Sequence, residues 1–346
     1  MRRLKLFAAG AIALSGTVGA AGASPGHLPG ASGTIFVTER TTAPAISSVT
    51  AFDAGTGDVL WTSPTGPAPI GVTKPHGTHR VYTSDENANQ VSVFDERTGA
   101  FLHSITMGVR PHHLMASANG KLIYVGEFGQ RTIGVIDTGS DTEIAHYQAS
   151  LIPGALTHAV WISTDGRELY ATNAGAANTI SKLDARTGEL IWEFAIGNNP
   201  SEILVTNDGK IAYVSVRNEH RVKVVDVAGN TPLVLGEAAA ANQPDTLSLT
   251  NDGKTLIVGV RASPTGKARA ALIDTATLTT HYVEMPAHTT TGHQWLSANG
   301  KYTFMAVESP GAVAVIDNAA RSVVADYPYP GGPRPHGVFF EPEVLR

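Results

Sequence analysis

The residues with the most chemical potential in this sequence are histidines at the start of short apolar runs. His112 and His113 open one such run, and single histidines open others farther along the chain. Histidine is the commonest metal ligand in proteins, and neutral imidazoles that converge can hold zinc, copper or iron. One hypothesis is therefore a divalent-metal site, with four ligands: His112, His158, His293 and His336.

The same histidines also have a structural interpretation. An imidazole at the start of a strand can simply bond neighbouring backbone and contribute no ligand to a metal. Strands that diverge around a ring can also hold their histidines too far apart for metal–nitrogen bonds of about 2.0–2.1 Å. The sequence establishes no cofactor with certainty, and a divalent metal is a possibility that its pattern raises.

Charged side chains occur at the ends of other apolar runs. Glu39, Asp85 and Glu127 are expected to form an acidic arc that faces Arg217 and Arg261, an arrangement that suits a dipolar ligand. The binding of such a ligand should weaken with salt, because salt screens exposed charges. The full set of predicted ligand-binding residues is His112, His113, His158, Glu202, Asp245, His293, His336, Glu39, Asp85, Glu127, Arg217 and Arg261, with no catalytic residue assigned.

A repeated phrase determines where these side chains lie. In residues 111–137, two apolar runs flank an Asn-Gly turn, and a third run ends at Asp137. Short β-rich runs joined by such turns are typical of antiparallel strands in hairpins. Equivalent aspartates recur every 42 to 48 residues, at Asp53, Asp95, Asp137, Asp184, Asp226, Asp274 and Asp317. A period that fits four short strands predicts seven blades of a β-propeller.

The two ends of the chain are predicted to close this ring. The repeat begins on a second strand near Thr34 and finishes on an inner strand, 336–341. Each end thus supplies the strand that the other lacks, and pairing them removes an exposed sheet edge. We predict an all-β fold with one domain over residues 34–346, a seven-bladed β-propeller closed by the N-terminal and C-terminal strands in one blade.

Several phrases resemble YVTN-type β-propeller repeats. They include Leu122–Val125 (LIYV), residues 211–214 (IAYV), the VxVID strands and the Pro-His-Gly of residues 335–337. The resemblance covers nearly all of the predicted mature chain. It implies a propeller whose inner-strand starts and second-strand ends share one face, at the mouth of the central channel. It does not imply one activity, because a fold hosts many functions.

The first residues have the pattern of a secretory signal peptide. Arg2, Arg3 and Lys5 precede an apolar stretch that is too short to span a membrane, and an Ala-Gly-Ala site ends at Ala23. We predict a signal peptide over residues 1–23, a flexible leader over residues 24–33, and a periplasmic or secreted protein. Losing three positive charges changes the formal net charge from −5 to −8, which argues against general binding of nucleic acid.

Other chemistries are not supported by the sequence. Cysteine is absent, which excludes disulfides, thiolate metal sites and a cysteine nucleophile. No G-x-S-x-G elbow, H-E-x-x-H helix or phosphate-binding loop occurs. The favoured interpretation is an exported binding or accessory module, monomeric and without a membrane span, that engages a small polar ligand or a protein partner at the channel mouth. The alternative is a metal-dependent enzyme with a histidine-lined site there.

Overall fold

Twenty-eight strands form seven four-stranded antiparallel sheets in the computed structural model, which describes residues 27–41, 46–261, 265–330, 332 and 334–342. The predicted signal peptide lies outside these residues. Of the predicted leader, Leu28 and Ala31 are buried against the first blade. Within the described residues, no helix is long and apolar enough to cross a membrane.

The seven sheets are the predicted blades, and the four strands of each blade follow one another from the channel outward. Blade 1 contains β28 (Pro335–Pro342), β1 (Gly33–Glu39), β2 (Ser48–Asp53) and β3 (Val59–Pro64); blade 2 contains β4 (Pro69–Thr73), β5 (Arg80–Asp85), β6 (Gln90–Asp95) and β7 (Phe101–Thr106); blade 3 contains β8 (Pro111–Ala116), β9 (Leu122–Glu127), β10 (Thr132–Asp137) and β11 (Thr142–Gln148); blade 4 contains β12 (Ala155–Ile162), β13 (Glu168–Gly175), β14 (Thr179–Asp184) and β15 (Leu190–Ala195).

The remaining three blades follow the same order. Blade 5 contains β16 (Pro200–Val205), β17 (Ile211–Val216), β18 (Arg221–Asp226) and β19 (Leu233–Ala239); blade 6 contains β20 (Pro244–Leu249), β21 (Thr255–Val260), β22 (Ala268–Asp274) and β23 (Thr280–Met285); blade 7 contains β24 (Thr290–Leu296), β25 (Tyr302–Glu308), β26 (Ala312–Asp317) and β27 (Ser322–Pro328). Two short 3-10 helices, Glu86–Ala88 and Arg217–Glu219, follow the second strands of blades 2 and 5.

The predicted closure is confirmed. Strand β28 pairs antiparallel with β1, with Phe340 opposite Ile35 and Val338 opposite Val37. The last strand of the chain therefore completes the first blade, and the sheet edge of β1 is paired.

The hydrophobic core consists of seven clusters among the described residues, one at each interface between neighbouring blades. Second and third strands are buried on both faces because a blade packs against each of their two faces, as in β25, whose seven residues are all buried. Outer strands such as β3 alternate between exposed and partly buried residues. This difference explains why the second and third strands have nearly continuous apolar sequences.

The seven repeated aspartates end the third strands and order the turn that follows. Asp53 Oδ1, for example, accepts hydrogen bonds from the backbone N–H groups of Gly55 (2.9 Å) and Thr56 (2.8 Å). Equivalent bonds occur at Asp95, Asp137, Asp184, Asp226, Asp274 and Asp317. These carboxylates thus fix the hairpin to the outer strand, on the face opposite the histidines.

Candidate functional site

The inner strands share an irregularity that turns side chains into the channel. In blade 3 the pairing passes from Pro111 opposite Glu127 to Leu114 opposite Val125, so His112 and His113 together oppose Gly126. Two residues opposite one is a β-bulge, which bends a strand and redirects its side chains. Gly126 is needed here, because a Cβ on it would lie only 2.7 Å from the backbone oxygen of His158.

Five imidazoles meet inside the channel as a result, and we call them the histidine cluster: His112, His113, His158, His293 and His336. The ring centroids of neighbouring members lie 4.3 to 4.8 Å apart. His113 reaches across the channel from blade 3 to His293 in blade 7, at 4.6 Å. Four of the rings are buried and His293 is partly buried. The structure therefore brings together histidines that are up to 224 positions apart in the sequence.

Two members of the cluster have one ring nitrogen held by a neighbour. His158 Nδ1 lies 2.8 Å from the backbone oxygen of Ser201, which can only accept, so this nitrogen carries the proton. His113 Nδ1 lies 3.2 Å from Glu202 Oε2. Both contacts leave Nε2 as the nitrogen with a lone pair. Three nitrogens of the cluster are buried without a hydrogen-bond partner among the described residues: His112 Nδ1, His113 Nε2 and His336 Nδ1.

The environment keeps most of the cluster uncharged. Burial is the main cause that holds the pKa values of His112, His158, His293 and His336 well below the usual histidine range. Neighbouring imidazoles and arginines lower these pKa values further, because a second positive charge nearby is unfavourable. These four imidazoles are therefore neutral at pH 7 and offer lone pairs rather than positive charge.

Arginines surround the mouth of the channel above the cluster. Arg217 and Arg261 both pair with Asp245, which is almost fully buried and also accepts from the Ser201 hydroxyl. Burial alone would raise the pKa of Asp245, but the two guanidinium groups outweigh burial and hold this pKa well below its usual range. Asp245 is thus a carboxylate that anchors two arginines at the mouth.

A second carboxylate, Glu86, organises the other side of the mouth. Its carboxylate accepts hydrogen bonds from the guanidinium groups of Arg110 and Arg40. Arg40 Nη2 lies 3.3 Å from Glu86 Oε2. Arg110 also lies over the ring of Phe128, with 5.0 Å between the guanidinium carbon and the ring centroid. Phe128 in turn packs edge-on against His158, at 5.0 Å. The aromatic ring therefore links the arginines to the histidine cluster.

The predicted acidic arc is not formed as an open surface. Glu39, Asp85 and Glu127 are all fully buried and are bonded mainly to groups of their own blades. Asp85, for example, accepts from Ser92 and Gln90, and Glu127 accepts from Thr132 and the Gly108 N–H. The structure pairs Arg217 and Arg261 with Asp245 instead of with this arc. The three carboxylates serve to tie second strands to their neighbours.

Sequence reasoning missed two contributors to the mouth. Phe128 follows the end of β9, where a bulky aromatic residue carried no signal of its own. Ser201 lies in β16 and was not among the predicted site residues, although its backbone oxygen accepts from His158 and its hydroxyl donates to Asp245. His113 was included among ligand-binding residues but not among metal ligands, although it contacts three other histidines.

The channel also opens at its other end. A cavity of about 660 Å³ there is lined by Trp161, Trp295, Phe340 and the polar turns of blades 5 to 7. A smaller cavity of about 60 Å³ lies between this end and the histidine cluster, and Glu202 and His113 contribute to its wall. The candidate ligand-binding side chains are concentrated at the histidine end, where three histidine nitrogens are buried without a partner among the described residues.

Fold and site together define a closed seven-bladed β-propeller with a polar site at one end of its channel. The chain belongs to the YNCE-like beta-propeller family, whose profile matches residues 58–234. A 6-phosphogluconolactonase of Photorhabdus laumondii is 29% identical over 156 residues, which are 43% of this chain and 47% of that protein. The aligned region thus spans about half the length of this curated relative.

Two solved structures show the likeness of the fold. A putative 6-phosphogluconolactonase of Bacteroides fragilis is 20% identical, with a TM-score of 0.72 over 90% of this chain and 98% of that one. The periplasmic gluconolactonase PpgL of Pseudomonas aeruginosa is 18% identical, with a TM-score of 0.69 over 89% of this chain and 98% of that one. At these identities the similarity concerns the propeller fold.

Proposed function

We propose that this propeller binds a small anionic ligand at the histidine end of its channel, with a sugar acid or sugar phosphate as the ligand class. The observation that carries the proposal is the charge of the mouth. Among the described residues, five arginines line it, namely Arg40, Arg110, Arg217, Arg261 and Arg334, and their partners are three carboxylates, Glu86, Asp245 and Glu308. The excess of guanidinium groups favours an anion, and guanidinium matches carboxylate and phosphate in geometry.

The depth of the site supports a small ligand over a protein partner. Three of the buried polar atoms that lack partners among the described residues, on His112, His113 and His336, lie in the channel, where a compact polar molecule can reach them and a flat protein surface cannot. Arg110 and Arg334 are each nearly half exposed at the rim, so they remain available to a ligand that enters. The names of the related proteins point the same way, since gluconolactones are sugar derivatives.

Titration calorimetry with 6-phosphogluconate, gluconate and glucose tests this proposal. We expect 6-phosphogluconate to bind most tightly, glucose to show no binding, and affinity to fall as salt rises. The double variant Arg217→Gln/Arg261→Gln should weaken binding at least tenfold. Arg97→Gln, an exposed residue of a turn between the outer strands, is the matched control and should bind as the unmodified chain does. Equal binding of glucose and 6-phosphogluconate would contradict the proposal.

A second candidate function is hydrolysis of a lactone, which the His113–Glu202 pair favours. Glu202 can orient His113, whose Nε2 lone pair could take a proton from water while that water attacks the lactone carbonyl carbon. The ring C–O bond then breaks, and the proton passes to the departing ring oxygen to give a hydroxy acid. The other four imidazoles have low pKa values and are weak bases, which leaves His113 as the single candidate base in the cluster. Binding ranks first because five arginines support it, whereas hydrolysis depends on this one histidine.

Turnover of δ-gluconolactone above its spontaneous rate tests this second candidate. Hydrolysis by the metal-stripped chain that is lost in His113→Gln and retained in the exposed control His281→Gln would support it. A rate equal to the spontaneous rate would rule it out for this lactone.

We also propose that the protein acts outside the cytoplasm, as a periplasmic or secreted protein and as a monomer. The support for export is the signal-peptide pattern of residues 1–23.

A further inference from the structure

We propose that His112, His113 and His158 form a binding site for a divalent transition metal such as Zn²⁺. One ring nitrogen of each residue lies within 4.8 Å of one from each of the other two, and all three side chains are buried. This inference does not depend on the anionic ligand, because metal binding can be measured without one.

The bulge in β8 is what makes the arrangement possible. Adjacent residues of a regular strand point to opposite faces, which would separate His112 from His113. Here the bulge places both in the channel with their rings stacked at 9° and 4.8 Å apart. His158 from the neighbouring blade approaches His112 to 4.3 Å between centroids. Two blades thus supply three imidazoles.

The groups around the cluster hold these imidazoles as metal ligands are usually held. A metal-binding histidine typically donates its other ring N–H to a carboxylate or a backbone carbonyl, which fixes the tautomer and the ring orientation. His113 Nδ1 lies 3.2 Å from Glu202 Oε2, and His158 Nδ1 lies 2.8 Å from the Ser201 carbonyl oxygen. In both residues Nε2 is left to bind. The structure therefore contains both kinds of supporting contact.

Unpartnered buried atoms provide the second, independent observation. His112 Nδ1 and His113 Nε2 are buried and have no hydrogen-bond partner among the described residues. A buried polar atom without a partner costs about 1–3 kcal/mol, so such atoms call for an explanation. A metal bound to these nitrogens would satisfy them. Neutral imidazoles suit zinc, copper and nickel better than calcium or magnesium, which prefer oxygen ligands.

The fit requires a modest movement of the rings. Tetrahedral zinc with bonds of about 2.0–2.1 Å places its nitrogen ligands about 3.4 Å apart. Nitrogens that lie up to 4.8 Å apart must therefore approach by up to about 1.4 Å, which rotation about the side-chain torsions can supply. Three histidines leave a fourth position open, as in catalytic zinc sites.

Arg217 competes with the metal for one ligand. Its guanidinium lies 3.4 Å from His158 Nε2, a long contact beside the normal 2.9–3.0 Å of an N–H···O bond. Asp245 accepts from the same guanidinium and offsets its charge. Removing the positive charge should therefore tighten metal binding, and Arg217→Gln should do so by several-fold.

The proposed ligand set differs from the one suggested by sequence. His113 replaces His293 and His336 in the set, because within the described residues these two do not belong to a group of three or more ligand residues whose ligand atoms lie within 4.8 Å of one another. His336 lies next to His293, with 4.7 Å between centroids.

Titration of the metal-stripped full chain with Co²⁺, followed by competition with Zn²⁺, tests the site. We expect visible absorption of four-coordinate Co²⁺, one metal per chain, and a rise in Tm with Zn²⁺. His113→Gln and His158→Gln should weaken binding at least 100-fold, and Glu202→Gln about 10- to 100-fold, as outer contacts of metal ligands do. His281→Gln, an exposed histidine on β23, is the matched control and should bind normally.

Two results would overturn the proposal. The first is failure of the folded, unmodified chain to bind at 100 µM free Zn²⁺, a result that no variant can affect. The second is a loss in His336→Gln as large as in His113→Gln, which would assign the metal to different ligands. Should His113→Gln fail to fold, the His158→Gln and Arg217→Gln titrations decide, and weaker binding in Arg217→Gln would count against the site.

Discussion

Asp245 is the residue whose replacement best separates the structural and binding roles of the channel mouth. It is 1% exposed and holds both Arg217 and Arg261, with 3.1 Å between Arg261 Nη1 and Asp245 Oδ2. Asp245→Asn keeps the size of the side chain and removes its charge. The prediction is that the protein becomes less stable while its affinity for an anion increases.

The stability change follows from burial of the ion pairs. Arg217 is 15% exposed and Arg261 is 28% exposed, so neither can fully recover its hydration when the carboxylate is neutralised. Breaking a buried ion pair by removing one partner costs about 3–5 kcal/mol. Asparagine retains an acceptor for one arginine, so we expect a loss of about 2–4 kcal/mol in the free energy of unfolding.

The affinity change follows from charge at the mouth. An anion bound to Arg217 would lie roughly 6 Å from the Asp245 carboxylate, where repulsion at an effective dielectric constant of 20 to 40 amounts to about 1–3 kcal/mol. Partial screening by solvent brings this to about 1–2 kcal/mol, so 6-phosphogluconate should bind roughly 5- to 30-fold more tightly to Asp245→Asn.

Urea unfolding and calorimetry on the same samples measure both effects. Glu237→Gln is a suitable control, because Glu237 lies on the outer strand β19, 3.6 Å from Arg221, and the two side chains are 48% and 44% exposed. Such a surface pair contributes about 0–1 kcal/mol, and its loss should leave affinity unchanged. Unchanged or weaker binding by folded Asp245→Asn would refute the electrostatic account of the mouth.

Three further predictions concern the rest of the chain. Deleting residues 335–346 should abolish cooperative unfolding, because β1 loses its partner; deleting only residues 343–346 should preserve it, and a normal Tm after the longer deletion would contradict the closure argument. Burial is the main cause that raises the pKa of Glu143 to about 7; His146 lowers this pKa and Glu127 raises it further. The stability that Glu143 contributes is therefore full below pH 4.5 and is lost as pH rises toward 7. Glu143→Gln should therefore stabilise the protein by about 1–2 kcal/mol at pH 8 and by little at pH 4.5 in thermal melts, and the same gain at both pH values would show that charge is not the cause. Exported protein should begin at Ser24 when its N-terminus is sequenced, and retention of Met1 would show that the first segment is not cleaved.

Most of the fold could be predicted from the sequence because it is encoded locally and repeated. The second strand predicted to begin near Thr34 is β1, which begins at Gly33, and the inner strand predicted over residues 336–341 is β28, Pro335–Pro342. The third strands end at the seven aspartates. Each of these signals depends on a few adjacent residues: a two-residue turn, an apolar run, or a carboxylate that bonds the backbone two or three residues on.

The site was only partly predictable, because it depends on directions that local sequence does not specify. Alternation along a regular strand would place His112 and His113 on opposite faces, and only the bulge opposite Gly126 directs both into the channel. The carboxylates Glu39, Asp85 and Glu127 carry the same charge as Asp245, and nothing local indicates that they bond within their own blades.

By itself, then, the sequence determined the number of blades, the strand order and the way the ring closes, since hydrophobic periodicity and turn chemistry act over a few residues. Only the tertiary structure decided which charges meet. Asp245 joins Arg217 and Arg261 over up to 28 positions, and His113 meets His293 over 180, because the inner strands converge on one axis. Burial at that axis then lowers the pKa values of most of the histidine cluster, which gives the mouth neutral donors beneath a positively charged rim.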